Sequence, residues 1–499
     1  MRNFIRLLLI SALLLISVSH LHAKKREEEY YRIDTLNTPD GVVLEAGNVC
    51  ILGPDKLACA SRFGDVWIAE EINGDKTKPK WTLYASGLHE VLGLAVKPGD
   101  KDGWLYCTQR CDITRMRDSN GDGRADVFEV VSDGWGIDGD YHEYAFGSKF
   151  DKDGNLFVAL CLTGSGTSTN LWRGWCLKID PDGKATPVIS GIRSPGGIGF
   201  NAEGALFYTD NQGNWNGACK LQQIIPGTFV GHPAGLKWFD EPTAKDAIAS
   251  AGIKKPEMPK SGGRLVDEMK RIPELAHPTV YFPYPRMGAS AAGFANDSTK
   301  GKFGPFQNQL FVGDQTTSMV MRVFLEQVDG HYQGVCFPFR KGFMSGAMSV
   351  DFAQDGSLFV YGTDRGWTAT GGKPFGLQRV TWNGETPFEI HEMRVKKDGF
   401  ELTFTEPLDE ATAKDTASFT LKTYTYIYHD SYGSPEVDQT TPKIVSSTIA
   451  ADKKSVRLVI EGLQIGHVHE LQAPGIKSAN GEPLLHDLAY YTLFHIPKK

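Results

Sequence analysis

Asp153-Gly-Asn-Leu-Phe-Val-Ala159 is a tight turn followed by a β run, and the chain keeps returning to it. Glycine after aspartate supplies the positive φ that a two-residue hairpin turn needs, and the aliphatic and aromatic residues behind it suit a packed, pleated surface. The pattern recurs as Phe63-Gly-Asp-Val-Trp-Ile-Ala69, Asp102-Gly-Trp-Leu-Tyr-Cys107, Glu203-Gly-Ala-Leu-Phe-Tyr-Thr209, Asn308-Gln-Leu-Phe-Val-Gly313 and Asp355-Gly-Ser-Leu-Phe-Val-Tyr361. The first aliphatic residues fall at 66, 105, 156, 206, 310 and 358, a period of about 40 to 50 with one double gap. Such spacing with hairpin chemistry is the signature of four-stranded propeller blades, so the sequence predicts an all-β, six-bladed β-propeller. The double gap holds a Lys/Pro/Ala-rich insertion at 242–272, with a short helix predicted over 244–251.

The pattern changes near residue 387. Phe400-Glu-Leu-Thr-Phe-Thr405, Val456-Arg-Leu-Val-Ile460 and Tyr490-Tyr-Thr-Leu-Phe494 read as short strands of a β-sandwich. Phe404-Thr-Glu-Pro-Leu-Asp409 followed by Ala417-Ser-Phe-Thr-Leu421 resembles the bacterial Ig-like modules that trail exported enzymes. At the other end, Arg2 and Arg6 precede an apolar run over 7–18 that closes at Ala23. That is the plan of a cleaved secretory signal, too short to span a membrane comfortably. The expected organisation is a signal peptide over 1–23, a propeller over 24–387 and an Ig-like sandwich over 388–499, each folded part closing its own core. Export to the periplasm or the medium follows, with no membrane span. The net charge of −7 offers no basic face, which argues against nucleic acid. Eight cysteines in an exported chain suggest disulfides, with Cys50/Cys59 and Cys107/Cys111 the nearest pairs in sequence.

Asp118-Ser-Asn-Gly-Asp-Gly-Arg-Ala-Asp-Val-Phe-Glu129 carries oxygen ligands at calcium-loop spacing. The predicted ligands are Asp118, Asn120, Asp122, Asp126 and Glu129, with the Arg124 carbonyl and Gly123 at the sharp turn. The flanks read as strands, so a bound calcium would rigidify a blade loop. His467 and His469 share a strand face, a spacing open to metal but more often solvated.

A hairpin also locates a site. Residues just before a blade's first strand and just after its second lie at the same end of the channel, where loops on a rigid scaffold build binding sites. That rule collects His89, Glu90, His142, Glu143, Arg193, Ser194, Ser290 and Ser345 before first strands. After second strands it collects Asp210, Asn211, Gln212, Asp314, Gln315, Asp364 and Arg365, with Trp215 and Trp367 close behind. Polar and aromatic groups in one mouth suit a polyhydroxylated small molecule such as a carbohydrate.

Gly191-Ile-Arg-Ser-Pro-Gly-Gly-Ile-Gly-Phe200, Tyr208-Thr-Asp-Asn-Gln-Gly-Asn-Trp215 and Pro226-Gly-Thr-Phe-Val-Gly-His-Pro233 together resemble the soluble PQQ-dependent glucose/sorbosone dehydrogenases. The resemblance runs over about 50–385 and implies an exported sugar or aldose dehydrogenase. It implies His142 or Glu143 as the base and Arg193 beside the quinone, with Ser194, Asp210, Asn211, Gly213 and Asn214 around the cofactor and its calcium. A cytochrome would be the implied electron acceptor. The sequence departs from that pattern at Leu88, where glutamine is expected, and at Thr316, where lysine is expected. It departs again at Gly346 and Met348, where a pair of arginines is expected. Two other readings of the same fold stay open. One is a calcium-dependent lactonase-like hydrolase or sugar lyase with a channel metal on Asp210, Asn211 or Glu90, and the other a non-catalytic carbohydrate-binding protein.

Overall fold

The computed structural model describes residues 25–74 and 77–498, so the expected signal peptide lies outside the described residues. The chain is mainly β, built as a set of antiparallel sheets. Six four-stranded units follow one another. The first contains Ala46–Gly53, Lys56–Ser61, Val66–Glu70 and Lys80–Ala85, and the second Gly93–Val96, Leu105–Thr108, Ile113–Arg117 and Val127–Ser132. The third runs Ala145–Phe150, Leu156–Leu160, Trp175–Ile179 and Ala185–Ser190, and the fourth Pro195–Phe200, Leu206–Asp210, Cys219–Gln223 and Val280–Phe282. The fifth holds Ala291–Asn296, Leu310–Asp314, Met319–Val328 and His331–Lys341. The sixth joins Ala347–Phe352, Leu358–Thr363 and Phe375–Trp382 to the N-terminal strand Tyr31–Leu36. First strands of successive units touch, and that of the sixth touches that of the first, so the contacts run in a cycle.

Close approach at the centre explains the glycines there. A Cβ on Gly93 would sit 2.4 Å from the Gly147 carbonyl oxygen, and one on Gly196 2.1 Å from that of Ala291. Only glycine lets neighbouring first strands come so near. Between the sheets lie apolar layers such as Leu156, Val158, Trp175 and Leu177, all buried. The long gap in the repeat lies between the third and fourth strands of the fourth unit. It holds the expected helix, Lys245–Ser250, and a second one, Leu265–Arg271.

The first unit stands one strand out of step with the repeat. Val66 opens that unit's third strand, whereas 105, 156, 206, 310 and 358 all open second strands. The true counterpart is Lys56–Ser61, turned by Pro54-Asp55 instead of Asp-Gly.

Residues 388–498 form a second pair of sheets. One contains Ile390–Lys396, Gly399–Phe404, Ser455–Glu461 and Lys443–Ile449. The other continues the fifth unit outward: Leu488–Leu493 pairs with His331–Lys341, followed by His467–Gln472, Thr420–Thr425 and Val437–Thr440. Phe324, Val335 and Phe337 of the fifth unit share one apolar cluster with Phe400, Leu458 and Tyr491. The core is therefore common to both parts of the chain. His469 is buried against the Phe400 ring, at 5.4 Å between centroids, and burial holds its pKa down at about 3. The two cysteine pairings do not form, and all eight thiols are free. Val49 is the residue opposite Cys59 in the ladder, so Cys50 points to the other face and into a different apolar cluster.

Candidate functional site

A pocket of about 430 Å³ opens at the end of the channel where first strands begin and second strands end. His142 reaches it from before the third unit's first strand and Arg193 from before the fourth's. Asn211, Gln315 and Arg365 arrive just after second strands. The antiparallel hairpin puts both kinds of residue at one mouth. Tyr141, Tyr144, Tyr284, Trp367 and Tyr432 add aromatic surface.

Beneath one wall lies a buried ionic cluster. Glu90 accepts from Arg62 Nε at 2.7 Å and, through its other oxygen, from Arg110 Nε. Side-chain exposures of 4% for Arg62, 7% for Glu90 and 8% for Arg110 leave the cluster almost dry. Burial works against the Arg62 charge, but Glu90 and Tyr144 more than offset it and hold its pKa above the ordinary value. Glu90 itself has φ +48°, a left-handed backbone costly for a side-chain-bearing residue, which the cluster keeps in place. Arg110 donates onward to the carbonyls of Asp140 at 2.6 Å and Tyr141 at 2.7 Å. Arg173, fully buried, donates to the carbonyls of Glu143 at 2.8 Å and Tyr144 at 2.9 Å. Two arginines thus fix the 140–144 turn by its backbone, and that turn carries His142.

His142 is half-buried, and its ring meets those of Tyr141 and Tyr144 edge-on. Burial lowers its pKa below 6.5, with Asp140 opposing and Arg193, Arg110 and Arg62 reinforcing the fall. It is therefore a neutral imidazole at neutral pH, with a lone pair to accept a proton. Glu143 does not line the pocket: it is fully buried, accepting from Asp138 N at 2.8 Å and Thr163 Oγ1 at 2.7 Å.

Arg193 lies flat on Gly213, where any Cβ would sit 2.0 Å from its Cζ. One of its terminal nitrogens donates to the Gln212 carbonyl at 2.7 Å, while its buried Nε has no protein partner. The Tyr432 ring caps it, 5.3 Å from Cζ to the ring centroid. Asp210 sits behind, accepting from Ser194 N at 2.8 Å, Arg193 N at 3.3 Å and Tyr208 OH at 3.1 Å. Asn211 Nδ2 donates to the Ser194 carbonyl at 3.1 Å. Asp314 performs the same task in the fifth unit, accepting from Ala289 N at 2.9 Å and Ser290 N at 2.8 Å. Ser194, Asn211 and Asn214 face the pocket, whereas Gly213 and Asp210 lie beneath it.

Sequence reasoning missed Arg62, Tyr141, Tyr144 and Tyr432. Arg62 follows the first unit's second strand and obeys the hairpin rule, but the slipped register hid it. Tyr432 comes from the C-terminal part. Its loop is tied down by Trp215 N donating to His429 O at 2.7 Å and Gly433 N to Gly213 O at 3.1 Å.

A family model described as a domain of unknown function, DUF7133, matches residues 34–338. The chain belongs to the DUF7133 family. No curated protein matches it. Among solved structures it is similar to a Thermus thermophilus oxidoreductase described as a glucose dehydrogenase, at 18% identity, TM-score 0.49, over 70% of this chain and 99% of that one. It is also similar to the PQQ-bound aldose sugar dehydrogenase of Streptomyces coelicolor, at 16% identity, TM-score 0.46, over 72% and 99%. A third is the pyranose dehydrogenase PQQ domain of Coprinopsis cinerea, at 11% identity, TM-score 0.47, over 70% and 97%.

In this DUF7133 chain the pocket does not fit PQQ. The quinone carries three carboxylates, each seeking charge-assisted hydrogen bonds. Arg62 is engaged by Glu90, and Arg365 lies 3.5 Å from Glu45. Among the described residues of the wall, Arg193 alone is an arginine without a carboxylate partner. The rest of the wall offers hydroxyls, amides and aromatic rings.

The 118–126 turn is held by its own side chains. Asp118 accepts from Gly121 N at 2.7 Å and Gly123 N at 2.8 Å, Asn120 Oδ1 from Asp122 N at 2.9 Å, and Asp122 Oδ1 from Arg124 N at 2.9 Å. Asp126 accepts from Ser119 N and Oγ, each at 2.8 Å, and Glu129 is paired with Arg115 at 2.5 Å.

Proposed function

We propose that this is an exported carbohydrate-active enzyme on a six-bladed β-propeller with a C-terminal Ig-like sandwich. His142 withdraws a proton from a bound acidic sugar, and Arg193 pairs with the substrate's negative charge. One observation carries the reading: the half-buried His142 imidazole and the Arg193 guanidinium line one pocket, where burial lowers the imidazole's pKa. A base beside a cation lowers the cost of forming an anion next to a carboxylate; in an elimination that electron pair then forms the C=C bond as the β-linked oxygen leaves and takes a proton from water. The aromatic walls supply stacking faces for the sugar ring.

Oxidation of a sugar hydroxyl is the second reading, favoured by the order of the 191–200, 208–215 and 226–233 segments. It also begins with a proton leaving to a base, and needs a two-electron acceptor such as a quinone to take the hydride before electrons pass to a carrier such as a cytochrome. Calcium on the 118–126 turn belongs to both readings as a local brace, supported by its run of side-chain-capped backbone amides.

The test is a panel of uronic acids and neutral aldoses, followed by ultraviolet absorbance for unsaturated product, with and without added PQQ and calcium. Quinone-independent turnover of an acidic sugar, lost in His142→Ala, is the expected result. Bleaching of bound PQQ by a neutral aldose would transfer the conclusion to the second reading.

A further inference from the structure

Three histidines far apart in sequence meet outside the pocket. His277 leads into Val280–Phe282, His331 opens His331–Lys341, and His495 follows Leu488–Leu493. One ligating atom from each lies within 4.8 Å of the others, and among the described residues no other His/Cys/Asp/Glu trio gathers so closely. The geometry points to a zinc-class metal site here, a borderline-soft divalent cation held by three imidazole nitrogens.

The tautomers favour it. His277 Nδ1 lies 2.8 Å from the Pro278 carbonyl, which can only accept, so that nitrogen carries the hydrogen and Nε2 keeps its lone pair. A backbone carbonyl orienting the far side of a ligating imidazole is the usual support in metal sites. His277 Nε2 faces His495 Nε2 at 3.1 Å. Two Zn–N bonds of 2.0–2.1 Å at a tetrahedral angle separate their nitrogens by roughly 3.4 Å, so this pair is already at chelating distance.

The backbones behind the ligands are fixed. Gln333, fully buried, donates to the His495 carbonyl at 2.8 Å and accepts from His495 N at 2.8 Å. Gln222 Nε2 donates to the His277 carbonyl at 2.9 Å. His331 is exposed and lies parallel to the His495 ring at 4.3 Å between centroids. Its swing out of that stack brings a third nitrogen to the ion, and the solvent side leaves the fourth position to water. Three neutral nitrogen ligands select zinc over calcium or magnesium, which require oxygen. The ion would staple the fourth unit, the fifth unit and the chain's C-terminal end.

The experiment uses the whole mature chain, stripped of transition metals in calcium-containing buffer so that oxygen-ligand sites stay filled. Zinc is titrated by calorimetry and by melting, and cobalt is added in parallel for its visible absorption. One zinc per chain, a raised Tm, and an intense tetrahedral cobalt spectrum are expected. His331→Gln, at an exposed position that folding tolerates, should weaken zinc binding at least tenfold and abolish that spectrum, as should His277→Gln. Zinc affinity and cobalt spectrum unchanged in His331→Gln, or no zinc-dependent rise in Tm for the wild type, overturns the assignment.

Discussion

Replacing Glu90 by glutamine keeps the shape of the ionic cluster and removes its only negative charge. Arg62 and Arg110 would then face each other's positive charge across a site whose three side chains are 4–8% exposed. Breaking a buried pair from one side costs about 3–5 kcal/mol, because the partner is left charged and dry. The amide oxygen still accepts one guanidinium hydrogen, which places Glu90→Gln near the lower end, about 3 kcal/mol. The damage should travel, because Arg110 holds the Asp140 and Tyr141 carbonyls and Arg62 the Tyr144 hydroxyl. Loosening that turn misplaces His142, so kcat/KM should fall along with the melting temperature. Urea unfolding monitored by tryptophan fluorescence reads the first effect and turnover the second. Adding Arg62→Met removes one of the two stranded charges and should recover part of the stability. A Glu90→Gln protein that unfolds at the wild-type urea concentration would refute this account of the cluster.

His142→Ala and Arg193→Ala should each abolish turnover with little change in melting, while Lys152→Ala, at the opposite hairpin end, leaves both alone; equal loss of stability and activity would argue against a catalytic role. Because the His142 pKa lies below 6.5, its base form persists into mild acid, and the acid limb of kcat/KM should lie lower than for a free imidazole. His486 is held between Glu389 at 2.7 Å and Glu27 at 3.0 Å, and these carboxylates outweigh burial and raise its pKa to about 9. Its folded pKa exceeds the unfolded value of 6.5, so the stabilisation is complete below about pH 6.5 and fades as pH rises through about 9. His486→Gln should flatten that decline in Tm. A chain ending at Pro387 uncovers Phe324, Val335 and Phe337 together, at about 1.5–3 kcal/mol each, a large share of a typical stability of about 5–15 kcal/mol. It should be insoluble, and a soluble, cooperatively melting fragment would contradict the shared core.

What could be read from the sequence was local. Asp153-Gly154 and Asp355-Gly356 announce their hairpins because turn chemistry is confined to neighbouring residues, and hairpin geometry alone sends His142, Arg193, Asn211 and Arg365 to one mouth. Pro54-Asp55 makes the same turn without the expected glycine, and so Arg62 was lost with its strand. Placements that depend on distant segments left no local trace. Nothing near Tyr432 reveals that it will lie over Arg193, 239 positions earlier in the chain, and nothing near Cys50 shows it facing away from Cys59. Charged residues are the most ambiguous in a sequence, because one carboxylate can serve chemistry or structure. Glu143 and Glu90 read from sequence as candidate chemistry, and the structure uses both to hold other groups still.

Among the described strands, Tyr31–Leu36 is the first to be made and among the last to find a partner. Tyr31 lies opposite Trp382, so the pairing waits until more than 340 further residues have been synthesised. Forming such a contact late means meeting the full loop entropy in one step, a slow event during which both edges stand open. A chain that emerges N-terminus first therefore carries a dangling strand until its last blade is made, exposed to proteases and to the open edges of its neighbours. Trimming a few residues from that end would do more harm than its position suggests.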